Sequence, residues 1–236
     1  MTSMQIMTRD VSFQGEACSL KAFVAEPAGD APHPAVIVVQ EWWGLNEHIR
    51  DIARRFAHEG YVAIAPDLYS RQGHKVATDP SVAAQLMSGL KKPDGIADLK
   101  ATVAWLRGHK RTHSSKIGVI GFCMGGSYAL LLPCESKEVS AAAPFYGEIP
   151  ADDKLAHLGC PLFYAYGEND GWIQRKDVDR LAAYLKKSGK SGHVKVYEGC
   201  SHGFFNDTRN DVYRSAEASD AWRQVLDLFR KGLGLG

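Results

Sequence analysis

Short β-branched apolar runs alternate along this chain with segments of helical period, and that alternation constrains the fold more than any other feature. The run Pro34-Ala35-Val36-Ile37-Val38-Val39-Gln40 has no polar face, as befits a strand covered by helices on both sides. A helix is expected over 46–59, with Asn46 as its cap and Gly60 as its stop. There Ile49, Ile52, Ala53, Phe56 and Ala57 recur with the spacing of one buried face. Further strands are expected at 61–65, 116–122, 139–146, 162–166 and 194–197, and further helices at 94–107, 124–132, 177–187 and about 212–231. Strand-then-helix repetition of this kind predicts an α/β architecture, a mostly parallel sheet with right-handed crossovers and helices on both faces. Residues 4–26 instead read as two alternating strands about Gly15, an antiparallel edge. The stretch 70–93, with Gly73, Pro80, Gly89 and Pro93, is the least regular and reads as an excursion over the functional face. The 236 residues contain no repeat or linker, so one domain over 1–236 is expected.

Bulk properties set aside several functions. A net charge of +1 provides no field for nucleic acid or an anionic membrane, and no apolar run is long enough to span a bilayer. The N-terminal residues lack the pattern of a secretory signal. Five cysteines, with no CxxC pair, argue against a disulfide framework or a zinc site and fit reduced thiols in a cytoplasm.

The chemistry concentrates where a strand meets a helix, at Gly121-Phe122-Cys123-Met124-Gly125-Gly126. A nucleophile on such a turn, with small residues two positions to either side, is the signature of the α/β-hydrolase fold. Taken alone, Cys123 is equally a small buried residue in a tight turn. Two later segments change the balance. Asp170 ends Tyr166-Gly167-Glu168-Asn169-Asp170 and His202 follows Gly199-Cys200-Ser201, each just beyond an expected strand. The order nucleophile, acid, base is the one this fold uses. The imidazole would manage the nucleophile's proton and the carboxylate would fix its tautomer. Glu168 stands as a second candidate acid.

Glu41 closes the first parallel strand, where an oxyanion donor of this fold arises, and could act on the thiol. A solvent-exposed loop acid fits its spacing equally well. The backbone N–H groups of Trp42 and Met124 are the expected oxyanion donors.

Taken together, Gln40-Glu41-Trp42-Trp43-Gly44-Leu45-Asn46, the run Gly60 to Tyr69 with Arg71, the Cys123 turn, Gly167-Glu168-Asn169-Asp170 and Ser201-His202-Gly203-Phe204 resemble the dienelactone hydrolase (carboxymethylenebutenolidase) family. The resemblance runs almost end to end. It implies a cofactor-free monomer that opens a lactone through a thioester on Cys123, with Glu41 gating the thiolate and taking its proton. Asp170 and His202 would complete the triad, and Trp42 and Met124 match the oxyanion positions. Members acting on dienelactone hold its carboxylate with two arginines. Here 72–106 contains no arginine and Asn206 stands four residues after His202. Lysine replaces bidentate arginine poorly, and Lys91, Lys92 and Arg209 stand as the candidates to compensate. A pocket of Trp43, Phe204, Phe205 and Asn206 beside Trp42 implies a less charged small-molecule ester or lactone. Simple core packing fits Trp43, Phe204 and Phe205 equally well. The alternatives are a non-catalytic or redox-responsive ligand-binding protein of the same fold, and acyl transfer or thioester hydrolysis on the same residues.

Overall fold

The computed structural model describes residues 4–234. Eight strands form one sheet: β1 (Ile6–Gln14), β2 (Ser19–Pro27), β3 (His33–Val39), β4 (Val62–Pro66), β5 (Thr112–Phe122), β6 (Ala141–Phe145), β7 (Leu162–Asn169) and β8 (Gly192–Ser201), in spatial order β1-β2-β4-β3-β5-β6-β7-β8. β1 and β2 form a hairpin, and β2 runs antiparallel to β4; every pairing beyond is parallel. The antiparallel edge and the parallel body are thus as the residue pattern implies.

The helices are α1 (Glu47–His58), α2 (Pro80–Gly89), α3 (Lys92–Gly108), α4 (Met124–Glu135), α5 (Asp152–Leu155), α6 (Arg175–Ser188) and α7 (Ser215–Leu233). α1 begins where Asn46 Oδ1 accepts the Ile49 N–H at 3.2 Å, and its expected apolar face is buried. One expectation is corrected. The 70–93 stretch carries α2, started by Asp79, whose carboxylate accepts from the N–H groups of Ser81 and Val82, with Pro80 in the first turn. Ten residues with only Ala83 and Leu86 buried show little helical periodicity, which is why the pattern concealed it.

The chain steps one way along the sheet from β3 to β4 and the other way from β4 to β5. With right-handed crossovers this puts α1 on one face and α3 and α4 on the other. α7 returns to α1, where Phe56 meets Phe229 and Trp222 at ring centroid distances of 5.7 and 4.5 Å. The neighbours β3 and β5 therefore feed helices on opposite faces, and a crevice opens between their carboxyl ends. Such a switch point is where open α/β sheets bind ligands.

At the amino-terminal edge Glu26 of β2 is 1% exposed. It accepts from Arg111 Nη1 at 2.9 Å and from Arg9, and lies 2.9 Å from His109 Nε2. Burial raises its pKa, but bonds from Arg9 and His109 and the charges of Arg9 and Arg111 outweigh that and hold it below the usual glutamate value. A depressed carboxyl stabilises the fold above its unfolded pKa of about 4.3 and loses that contribution as pH falls through the folded value. Glu26→Gln should cost about 3 kcal/mol in urea unfolding at pH 7, as when one partner of a buried ion pair is removed, and much less at pH 3. An equal cost at both pH values would show that the carboxylate charge is not what stabilises this edge.

Candidate active site

The turn after β5 is dictated by contact distances. Cys123 has φ 56° and ψ −121°, a left-handed backbone that a non-glycine residue holds at a cost of about 1–3 kcal/mol. The glycines around it are steric necessities. A Cβ on Gly121 would lie 2.1 Å from the Gly125 carbonyl oxygen, and one on Gly125 would lie 2.4 Å from the carbonyl oxygens of both Val39 and Gln40. On Gly126 it would lie 2.2 Å from the Phe145 carbonyl oxygen. α4 thus starts in backbone contact with the end of β3 and the end of β6, which lifts Cys123 into the crevice.

Asp170 and His202 are brought together by strand register. β7 and β8 each extend three or more residues beyond the expected ends, and their last pair is Asn169 with Ser201. Asp170 and His202 are the next residues on the two strands. Asp170 Oδ2 lies 2.8 Å from His202 Nδ1, and its Oδ1 accepts the N–H groups of Trp172 and Ile173, each at 2.8 Å. Both oxygens of this buried carboxyl are thereby held in direction. Glu168, the other candidate acid, instead accepts the Gly199 N–H at 3.1 Å in an exposed position. The His202 ring is held edge-to-face between Tyr146 at 4.9 Å and Trp172 at 5.3 Å. Tyr146 itself has φ 38°, a second strained residue in the crevice.

Glu41 is not a loop acid in solvent. It is 3% exposed, and its Oε2 accepts from Asn206 Nδ2 at 2.7 Å. Asn206 is oriented in turn by Thr208, whose N–H and Oγ1 both donate to its side-chain oxygen at 3.0 and 2.7 Å. The peptide N–H groups of Trp42 and Met124 are directed at the Cys123 sulfur and favour its anion. Burial acts the other way and more strongly, and the Glu41 charge adds to it, so the thiol pKa is raised well above that of a free cysteine. Tyr69 ties the two N–H donors together: its hydroxyl donates to the Trp42 carbonyl at 2.9 Å and meets the Met124 sulfur at 3.4 Å.

The expected aromatic pocket is corrected in part. Trp43 is half-buried, edge-on to Trp42 at 5.0 Å. Phe204 is fully buried among Phe145, Tyr146 and Tyr197, and Phe205 packs on Phe122 and Trp222. The chain turns inward at Gly203, φ 81°, and burying two phenyl rings in the core is worth about 1.5–3 kcal/mol each. Asn206, expected to line the pocket, is buried and bonded to Glu41. Of the cationic substitutes, Lys92 pairs with Glu148 at 2.6 Å and Arg209 with Asp211 at 2.5 Å, while Arg71 makes two bonds to Asp98. Sequence reasoning missed the roles of Tyr69, Tyr146 and Trp172. Only Asn206 carried a signal, its position relative to His202.

The sheet order, the two-faced crossovers and the strained turn at the head of α4 define an α/β-hydrolase. Comparison with known proteins narrows this. The sequence profile of the dienelactone hydrolase family matches residues 20–233, and the chain belongs to that family. "Protein usf" of Aquifex pyrophilus is 34% identical over 238 residues, which cover 96% of this chain and 100% of that protein. A protein of Escherichia coli K12 named "Putative carboxymethylenebutenolidase" is 35% identical over 239 residues, covering 93% and 85%. The crystal structure named "Putative Dienelactone Hydrolase" from Klebsiella pneumoniae subsp. pneumoniae MGH 78578 superposes with a TM-score of 0.89 at 31% identity, covering 96% and 99%. Family and fold together support hydrolase activity on esters or lactones. No helix among the described residues is long and apolar enough to cross a membrane.

The backbone contacts of α4 make Gly125→Ala a sharp test. The added methyl should lower the unfolding free energy by about 2 kcal/mol, within the usual cost of overpacking, as read by urea denaturation. Unchanged stability would mean that α4 can retreat from β3 without cost.

Proposed function

We propose that the chain hydrolyses small-molecule carboxylic esters or lactones through a thioester on Cys123, with Asp170, His202 and Glu41 as its partners. The observation that carries this reading is the Asp170–His202 bond of 2.8 Å at the carboxyl ends of β7 and β8, the same end of the sheet as the strained cysteine turn after β5. A thiol that served only as a redox sensor would need neither the acid nor the base.

In the resting arrangement the sulfur occupies the place before the Trp42 and Met124 N–H groups. A substrate carbonyl oxygen takes those donors as the sulfur turns out, and the thiol proton passes to Glu41. The thiolate attacks the carbonyl carbon, a C–S bond forms, and negative charge gathers on the oxygen facing the two N–H groups. When the carbonyl reforms, the acyl C–O bond breaks. The departing oxygen takes a proton from a water held by His202 Nε2, and the hydroxide so formed attacks the thioester. The C–S bond then breaks, the acid is released, and the thiolate recovers its proton from Glu41. Asp170 holds the imidazole so that Nδ1 carries its proton and Nε2 faces the water. Glu41 makes the free thiol unreactive, and Asn206 holds Glu41 in place. With Lys92, Arg209 and Arg71 in ion pairs and Asn206 on Glu41, a neutral substrate fits this crevice better than an anionic one.

Two outcomes test the assignment. Cys123→Ala should lower kcat/KM on activated esters by more than a thousandfold while circular dichroism stays unchanged; retention of activity would remove Cys123 from the chemistry. Glu41→Gln should separate reactivity from turnover. Loss of the carboxylate charge lowers the thiol pKa, so alkylation by iodoacetamide at pH 7 should speed up by about tenfold, the equivalent of one pKa unit, while ester turnover falls. Slower alkylation would contradict the guarding role.

A further inference from the structure

Trp172, edge-to-face with His202, also lines a cleft of about 310 Å³, whose apolar lining is Tyr128, Leu131, Ile149, Pro150, Trp172 and Ile173. That volume is at the lower bound of ordinary ligand sites. Beyond it a second hollow of about 610 Å³ shares Lys92, Leu131 and Pro150 with the first and adds Pro93, Ile96 and Ala97. The shared residues make the two hollows one groove, mainly apolar, with Glu16, Lys100, Glu135 and Lys154 also lining the second. Its rim carries the Lys92–Glu148 ion pair, which is exposed and neutral as a pair. The wall is tied to the catalytic turn, since Ser127 of the first turn of α4 accepts the Glu148 N–H through Oγ at 2.8 Å.

The direction of the groove has a chemical meaning. With the carbonyl oxygen at the Trp42 and Met124 N–H groups and the carbon on the Cys123 sulfur, the departing oxygen must face His202, because protonation takes place there. Whatever that oxygen carries continues past the imidazole, and Trp172 and the apolar cleft lie there. We propose that this groove is the leaving-group subsite, taking an unbranched apolar alcohol portion of an ester, or the alkyl arm on the alcohol carbon of a lactone. The inference rests on the hydrolase reading above and adds the side of the scissile bond on which the enzyme selects. The apolar side chains of the lining favour an uncharged chain, with each buried methylene worth about three- to fourfold in kcat/KM.

Isomeric esters isolate the effect, because they match in hydrophobicity and differ only in the side that is long. Hexyl acetate should exceed ethyl hexanoate in kcat/KM by tenfold or more, and butyl acetate should exceed ethyl butanoate by less. Leu131→Arg, which fills the junction of the two hollows with charge, should abolish the preference and leave ethyl acetate hydrolysis unchanged; Ile149→Arg on the facing wall serves if the first variant does not fold. Equal rates for the isomers, a preference for the long acyl side, or a preference that survives both variants would overturn the proposal. Calorimetric titration of the Cys123→Ala protein with 1-hexanol decides the matter without turnover. Saturable binding that Leu131→Arg removes supports the subsite, and its absence sinks it. Failure of the hydrolase reading would appear separately, as no hydrolysis of any ester in either series.

Discussion

The approach of the α4 amino terminus to the ends of β3 and β6 is the contact on which the rest of the site depends. It is a backbone-to-backbone contact, so it tolerates no Cβ at Gly121, Gly125 or Gly126. It also forces Cys123 into a left-handed conformation that an isolated chain would avoid. The strain is offset by the burial of Tyr128, Ala129, Leu130 and Leu132 on the same helix, each large apolar side chain contributing about 1.5–3 kcal/mol. Because the helix is seated this way, the Met124 N–H is left free to face the sulfur. The adjacent end of β3 supplies the Trp42 N–H and the Glu41 carboxylate. One packing constraint thus sets the positions of Cys123, of the Trp42 and Met124 N–H groups and of Glu41.

Electrostatics in the crevice then divides the labour between two carboxylates. Asp170 has its oxygens satisfied by His202 and by two backbone N–H groups. Such a carboxyl is fixed in direction and holds the imidazole. Glu41 has a neutral amide for its partner, and its charge bears on a buried thiol whose ionisation is already disfavoured. A neutral anchor releases a carboxylate more readily than an arginine would, since no ion pair has to be broken in a low-dielectric site. Asn206 therefore adds no charge to the crevice and holds Glu41 without an ion pair.

Much of this could be read locally. The β-branched runs, the period of α1 and the glycines around Cys123 report backbone requirements within a few residues of one another, and there the expected elements and the observed ones agree. α2 escaped because only two of its residues face the core. Phe204 and Phe205 looked like pocket residues because they follow His202, yet one glycine turn directs both into the interior. Trp172 had no local mark at all, since its position depends on how Asp170 bonds the N–H groups of Trp172 and Ile173.

The sequence by itself determined the alternation of strands and helices, the antiparallel edge, the sharp cysteine turn and the chain order of Cys123, Asp170 and His202. Each of these is written in neighbouring residues, where steric and hydrogen-bonding rules act at short range. Only the tertiary structure decided that Asp170 rather than Glu168 meets the imidazole, because that choice depends on the register of two strands that end at Asn169 and Ser201. Only the structure put Glu41 on Asn206, a contact between residues 165 apart in the chain, and opened an apolar groove behind Trp172. Contacts of that range are set by how the layers pack, and no local pattern of residues encodes them.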